Sequence, residues 1–109
     1  MDPRSGIESA IAAFRDRTPA PASLEAFAED CVRLARLDPR NAGFYLMLSL
    51  LSRAFTEKCE GKPLTANVAL EAKLLLIAQA ERVASALELG PEAKLALLND
   101  LAYAHVSWP

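Results

Sequence analysis

The stretch LDPRNAGFYLMLSLL, residues 37–51, contains the end of one helix and the start of the next. The residue before a proline avoids helical backbone angles, and proline itself fits the first position of a helix. Asp38 is therefore predicted to be the N-cap of a helix that begins at Pro39 and runs to about residue 59. Because this third helix is largely apolar, we expect it to form the central pair of the fold with the fourth helix.

Four further helices are predicted on either side of this junction. Ser5 and Glu8 have the S-x-x-E spacing of a capping box, which marks the start of the first helix. Ser23 and Thr65 are expected to cap the second and fourth helices. A Gly-Pro pair ends the fourth helix and starts the fifth. The predicted helices cover residues 6–16, 24–37, 39–59, 66–89 and 91–107.

The composition supports this helical reading. Alanine and leucine supply 39 of the 109 residues, whereas valine, isoleucine and threonine together supply 10. Small and unbranched side chains favour helices, and β-branched ones favour strands. With 52% hydrophobic residues, the chain has enough apolar surface to fold into a core. The prediction is a single all-α domain over residues 1–109, a compact bundle of about five helices.

The junction also resembles the boundary between tetratricopeptide repeats, where a proline precedes a helix with an aromatic residue and a leucine followed by a small residue. Those positions are held by Pro39, Tyr45, Leu48 and Ser49. The match covers about fifteen residues, and no second copy follows at the offset of about 34 residues that a solenoid of such repeats requires. The resemblance therefore implies a packed helix pair and not membership of the family.

The predicted helices carry more large apolar residues than a small bundle can bury. On the third helix, Ser49 and Ser52 are predicted to lie on the polar side and Leu50 on the apolar side. The fourth helix is apolar around most of its N-terminal half, and such a helix is covered either by the core or by a partner. We expect the excess residues to form a homodimer interface or to bind another protein. They are Leu46, Val68, Leu70, Leu74 and Leu75.

The C-terminal stretch AYAHVSWP, residues 102–109, contains the only histidine and the only tryptophan of the chain. His105 and Trp108 fall on the inner side of the fifth helix, where we expect them to close the core. One histidine and two separated cysteines cannot supply the three or four ligands of a zinc site, so no metal or cofactor is predicted. An alternative left open is a small-molecule or haem pocket formed by Met47, His105 and Trp108.

The two cysteines lack the spacing of a redox motif and indicate reduced thiols in a cytoplasmic protein. Cys31 lies between Phe27 and Leu34 on the apolar face of the second helix and is expected to be buried. Cys59 is the better of the two candidates for a reactive thiol because Cys31 is expected to be buried, although the dipole at the C-terminal end of its helix opposes a thiolate.

A second alternative is a nucleic-acid-binding regulator. Arg33, Arg36 and Arg40 are spaced along one side of the second helix and the residues that follow it, and they could form an anion-binding patch. However, Glu29 and Asp30 precede Arg33 at ion-pair spacing, and the chain has a net charge of −2 from 14 acidic and 12 basic residues. This balance disfavours nucleic acid as a partner.

No catalytic motif is visible, and the leading hypothesis is a non-enzymatic interaction module: a small cytoplasmic adaptor, regulator or chaperone-like protein that forms homodimers. A membrane partner is not expected. The longest uncharged apolar run, residues 41–52, would span about 18 Å as a helix, and a bilayer core needs about 30 Å.

Overall fold

The computed structural model describes residues 4–58 and 65–107, and within them every element is a helix. The elements are α1 (Arg4–Asp16), α2 (Pro21–Leu37), a 3-10 turn (Pro39–Asn41), α3 (Ala42–Lys58), α4 (Ala66–Ala86) and α5 (Pro91–Ser107). These bounds confirm the predicted all-α bundle of five helices. The fifth helix has the predicted bounds, whereas the fourth ends three residues earlier than expected.

Two of the predicted N-caps are wrong. Ser5 lies inside α1, and Glu8 forms an ion pair with Arg4 at 3.1 Å. Ser23 is the third residue of α2, since that helix begins at Pro21; its hydroxyl accepts a hydrogen bond from the backbone N–H of Ala20 at 3.1 Å. Proline fits the first position of a helix, and this moves the start of α2 ahead of the serine.

Of the other two predicted N-caps, Thr65 is confirmed and Asp38 is wrong. Thr65 caps α4 as expected, because its side-chain oxygen accepts a hydrogen bond from the backbone N–H of Val68 at 3.2 Å. Asp38 ends α2 instead of capping α3, and its own N–H donates to the carbonyl of Leu34 at 2.8 Å. The 3-10 turn that follows delays the start of α3 to Ala42.

The most extensive helix–helix contact joins α2 and α3, which corrects the prediction that α3 and α4 form the central pair. The Ser52 hydroxyl donates to the carbonyl of Leu24 at 2.7 Å, so the two helices approach closely. On the other side of α2, the rings of Phe14 and Phe27 stack with their centroids 4.4 Å apart and hold α1 in place. The core is therefore centred on the α2–α3 hairpin, against which α1 packs.

The orientation of α3 differs from the prediction. Ser49 and Ser52 are buried, and Leu50 is 46% exposed. The buried side of α3 is rotated from the predicted apolar face towards Tyr45, which is almost completely buried. Small side chains at the α2–α3 contact let the helices come close, and the aliphatic residues on the opposite side of α3 are left at the surface.

The buried lysine on α4, Lys73, joins that helix to the end of α1. Its ammonium group donates to the backbone carbonyl of Arg15 at 2.7 Å and to that of Arg17 at 2.8 Å. Carbonyls at the end of a helix lack partners within the helix, and a lysine near them satisfies both their hydrogen-bonding capacity and the negative end of the helix dipole. Lys73 is thus the C-terminal cap of α1, supplied from a distant part of the chain.

Replacing this lysine should destabilise the fold. We expect Lys73→Met to lower the free energy of unfolding by about 1–3 kcal/mol, because two carbonyls lose a buried charged donor. The matched control is Lys94→Met. The Lys94 ammonium contacts the Asn41 side chain at 3.4 Å, so its removal takes no donor from a backbone carbonyl at a helix end. Urea unfolding followed by circular dichroism measures both variants, and equal losses would contradict the capping role.

Candidate functional site

The five apolar residues predicted to lie outside the core are all exposed. The exposed fractions are 46% for Leu46, 38% for Val68, 44% for Leu70, 57% for Leu74 and 42% for Leu75. Four of them occupy the first half of α4, and Leu46 lies on α3. The opposite side of α4 is packed against the core, with Leu76, Ala80 and Val83 buried. Both sides of this helix are therefore apolar, and one of them faces outward.

Two open grooves flank the outer side of α4, and Ala78 and Glu81 line both of them. The first has a volume of about 550 Å³; Leu70 and Leu74 line it beside Arg15 at the end of α1. The second has a volume of about 520 Å³ and lies between α4 and α5, with Arg82 and Leu89 among its lining residues. Between the grooves, the small Ala78 side chain adjoins the exposed Glu81, which forms an ion pair with Arg15.

A second exposed apolar area lies on α3 and α5. Leu46 and Leu50 are one helical turn apart on α3, and Leu50 belongs to the residues that the sequence pattern placed inside. A Cβ atom at Gly43 would lie 3.7 Å from a methyl group of Leu98, so α5 packs beside this part of α3. On α5, Leu95 is 60% exposed and Val106 84% exposed. Neither of these two residues is among those that the sequence pattern predicts to lie at an interaction surface.

Of the three residues of the predicted ligand pocket, the structure describes Met47 and His105. Met47 packs against the core and is half-buried, and His105 is half-buried near the end of α5. Neither residue lines the grooves beside α4, and Trp108 lies outside the described residues. Cys59 also lies outside them.

The buried thiol of Cys31 is free and completely enclosed, as expected from its position on α2. Burial raises the pKa of this thiol, and the negative charge of Asp30 raises it further. Since the thiolate is the reactive form, Cys31 is held as an inert thiol in the core.

The predicted arginine patch is partly neutralised. Arg33 forms an ion pair with Asp30, and the same carboxylate accepts a hydrogen bond from Arg17 at 3.3 Å. Arg36 and Arg40 remain exposed. The local ion pair expected from the sequence is present, and it uses part of the charge that an anion site would need.

A polar cluster closes the junction between α2, α3 and α5. The Asp38 carboxylate accepts hydrogen bonds from the Asn41 amide at 2.8 Å and the Tyr45 hydroxyl at 3.2 Å. Lys94 of α5 donates to the Asn41 side chain at 3.4 Å. Burial raises the pKa of the Tyr45 phenol, and the charge of Asp38 and its hydrogen bond raise it further. The cluster thus keeps a neutral phenol as a structural donor.

Two searches of the described residues bear on other kinds of site. Residues 4–58 and 65–107 contain no group of three histidine, cysteine or acidic side chains placed to hold a metal ion. Over the same residues, every helix is too short or too polar to cross a bilayer.

Because the Tyr45 phenol is buried, we expect the free energy of unfolding to decrease at alkaline pH. Its pKa in the folded state lies above the unfolded value of about 10, so the stability it adds is complete below that pH and is lost as pH rises through the folded-state pKa. In a Tyr103→Phe variant, Tyr45 is the sole tyrosine. In the folded chain, we expect its ultraviolet tyrosinate absorbance to appear only at a pH above the ordinary tyrosine pKa. In urea, the absorbance should appear near pH ~10.

The role of the carboxylate in this shift can be separated from burial. Adding Asp38→Asn to the single-tyrosine variant should lower the pH at which tyrosinate forms, because it removes the neighbouring negative charge. Ionisation of Tyr45 at its ordinary pH in the folded protein would contradict the buried hydrogen bond.

Comparison of the chain with models of protein families, with curated proteins and with solved structures gave no match. Its function therefore has to be argued from the surface that the helices present.

Proposed function

We propose that this protein is a non-enzymatic interaction module that self-associates through the exposed apolar surface of its third and fourth helices. The observation that carries the proposal is the outer side of α4, where Leu70, Leu74 and Leu75 are exposed although the opposite side already supplies the core. Contiguous exposed apolar surface on a small domain is typical of a protein–protein contact. A small adaptor, regulator or chaperone-like protein would use such a surface.

The chemistry of the interior supports a binding role. The pKa values of the Cys31 thiol and the Tyr45 phenol are both raised, so each group is held protonated and is a poor nucleophile or base. The grooves beside α4 are open to solvent, whereas small-molecule sites usually enclose most of their ligand. The proposal places the protein in the cytoplasm, where the free thiol of Cys31 stays reduced.

The proposal is tested by the mass of the protein in solution. Light scattering on a sizing column should show the wild type moving towards twice the 11.8 kDa of one chain as its concentration rises. The double variant Leu74→Ser/Leu75→Ser should remain at the mass of one chain. These side chains are 57% and 42% exposed, so the helical circular dichroism signal and the melting temperature should change little.

The matched control replaces an exposed leucine outside the proposed surface. Leu37, at the end of α2, is 74% exposed, and Leu37→Ser should associate like the wild type. A wild type that stays at the mass of one chain at every concentration rules out self-association. Unfolding of the Leu74→Ser/Leu75→Ser variant would assign these leucines to the core.

A further inference from the structure

The exposed side of α4 carries a symmetrical pattern of charge and apolar residues. Glu71 precedes Leu75 by four residues, and Arg82 follows Ala78 by four residues. The midpoint between Glu71 and Arg82 and the midpoint between Leu75 and Ala78 both lie between residues 76 and 77. Glu71 thus lies at the N-terminal end of a short apolar segment. Arg82 lies at its C-terminal end, at the same distance from the midpoint.

All of these residues point to the same side of the helix. At about 100° per residue, Glu71, Leu74, Leu75, Ala78 and Arg82 fall within an arc of roughly 100°. Each of the five is exposed. A helix that packs against another buries an apolar stripe of about this width. The stripe is therefore wide enough to receive one further helix.

The shape of the surface also suits a helix. The two open grooves of about 550 Å³ and 520 Å³ run along the sides of α4, and Ala78 and Glu81 line both of them. Glu81 lies just outside the arc of the stripe and forms an ion pair with Arg15. The small side chain of Ala78 lets the axis of a second helix approach, while larger side chains enter the grooves on either side. Leu74 and Leu75 of a second copy have the size to do so.

The geometry points to an antiparallel pairing of α4 with α4 of a second copy of this chain, related by a twofold axis between residues 76 and 77. Leu75 of one protomer then faces Ala78 of the other, and Glu71 of each faces Arg82 of the other. In such an isologous contact every pairing occurs twice. This arrangement rests on the proposed self-association and specifies its surface, direction and register.

The charges choose between the two directions of pairing. A parallel pair would place Glu71 opposite Glu71 and Arg82 opposite Arg82, and like charges at a contact oppose binding. The antiparallel pair places opposite charges together at both ends. Electrostatic complementarity of this kind fixes the register of a contact.

The residues are free to make these pairs. Glu71 forms no ion pair with any side chain in the described parts of the chain, 4–58 and 65–107. Arg82 binds Asp100 at 3.0 Å and Gln79 at 3.1 Å on the surface. Exposed ion pairs contribute little to stability, so Arg82 can turn from Asp100 to a glutamate of the partner at small cost.

Charge reversal tests the pairing. Glu71→Arg alone, or Arg82→Glu alone, places like charges together at both ends of the contact, and each variant should self-associate at least about tenfold more weakly than the wild type. Mixing the two variants in equal amounts pairs opposite charges again. The mixture should form a heterodimer with nearly wild-type affinity. Light scattering should then show a mass of two chains at a concentration where each variant alone has the mass of a single chain.

A control with the same spacing is available on α2. Glu25 and Arg36 are exposed and are also eleven residues apart. Glu25→Arg and Arg36→Glu should each associate like the wild type, alone and when mixed. Melting temperatures measured under dilute conditions check that Arg82→Glu, which places a carboxylate beside Asp100, leaves the single chain folded.

The outcomes separate this inference from the proposed function. A wild-type dimer that is unaffected by either reversal overturns the α4 pairing and leaves self-association to another surface, such as that of α3 and α5. Two weakened variants whose mixture stays at the mass of one chain overturn the antiparallel register. A wild type that forms no dimer at all overturns the proposed function itself.

Discussion

The close approach of α2 and α3 is the contact on which the other helices depend. The buried hydrogen bond from the Ser52 hydroxyl to the Leu24 carbonyl, 2.7 Å long, joins the end of α3 to the start of α2 and makes the pair antiparallel. At the other end of the pair, Asp38 binds Asn41 and Tyr45. Buried polar groups are costly unless they are hydrogen-bonded, so these contacts fix the position of one helix along the other.

The remaining helices attach to this hairpin from different sides. The aromatic stack between Phe14 and Phe27 places α1 against α2, and Lys73 then ties α4 to the end of α1. The contacts of Lys94 with Asn41 place the start of α5 beside the start of α3. As a result, α4 contacts α1, α3 and α5. The remaining helix of the described chain, α2, packs against α1 and α3 and leaves the outer side of α4 uncovered.

The sequence predicts most of the helices but not how they are rotated. The Gly90–Pro91 pair predicts where α5 begins, and the apolar face of α2 correctly predicts that Cys31 is buried. The rotation of α3 could not be predicted, because its apolar residues surround most of the helix. The close contact with α2 selects Ser49 and Ser52 for the interior, since small side chains allow that approach. Lys73 was missed for a related reason: only the folded chain brings the end of α1 beside it.

The same rotation explains why surface leucines are so numerous. Turning the serines of α3 inward turns Leu46 and Leu50 outward, and packing the inner side of α4 leaves Leu74 and Leu75 exposed. These leucines add nothing to the packing of a single chain, and exposed apolar surface favours aggregation unless a specific contact covers it. Glu71 and Arg82 supply the specificity that leucines lack, because opposite charges at the two ends of an apolar stripe allow one register and disfavour its neighbours. The candidate site is thus a consequence of how the core is built, and its charges decide what can bind there.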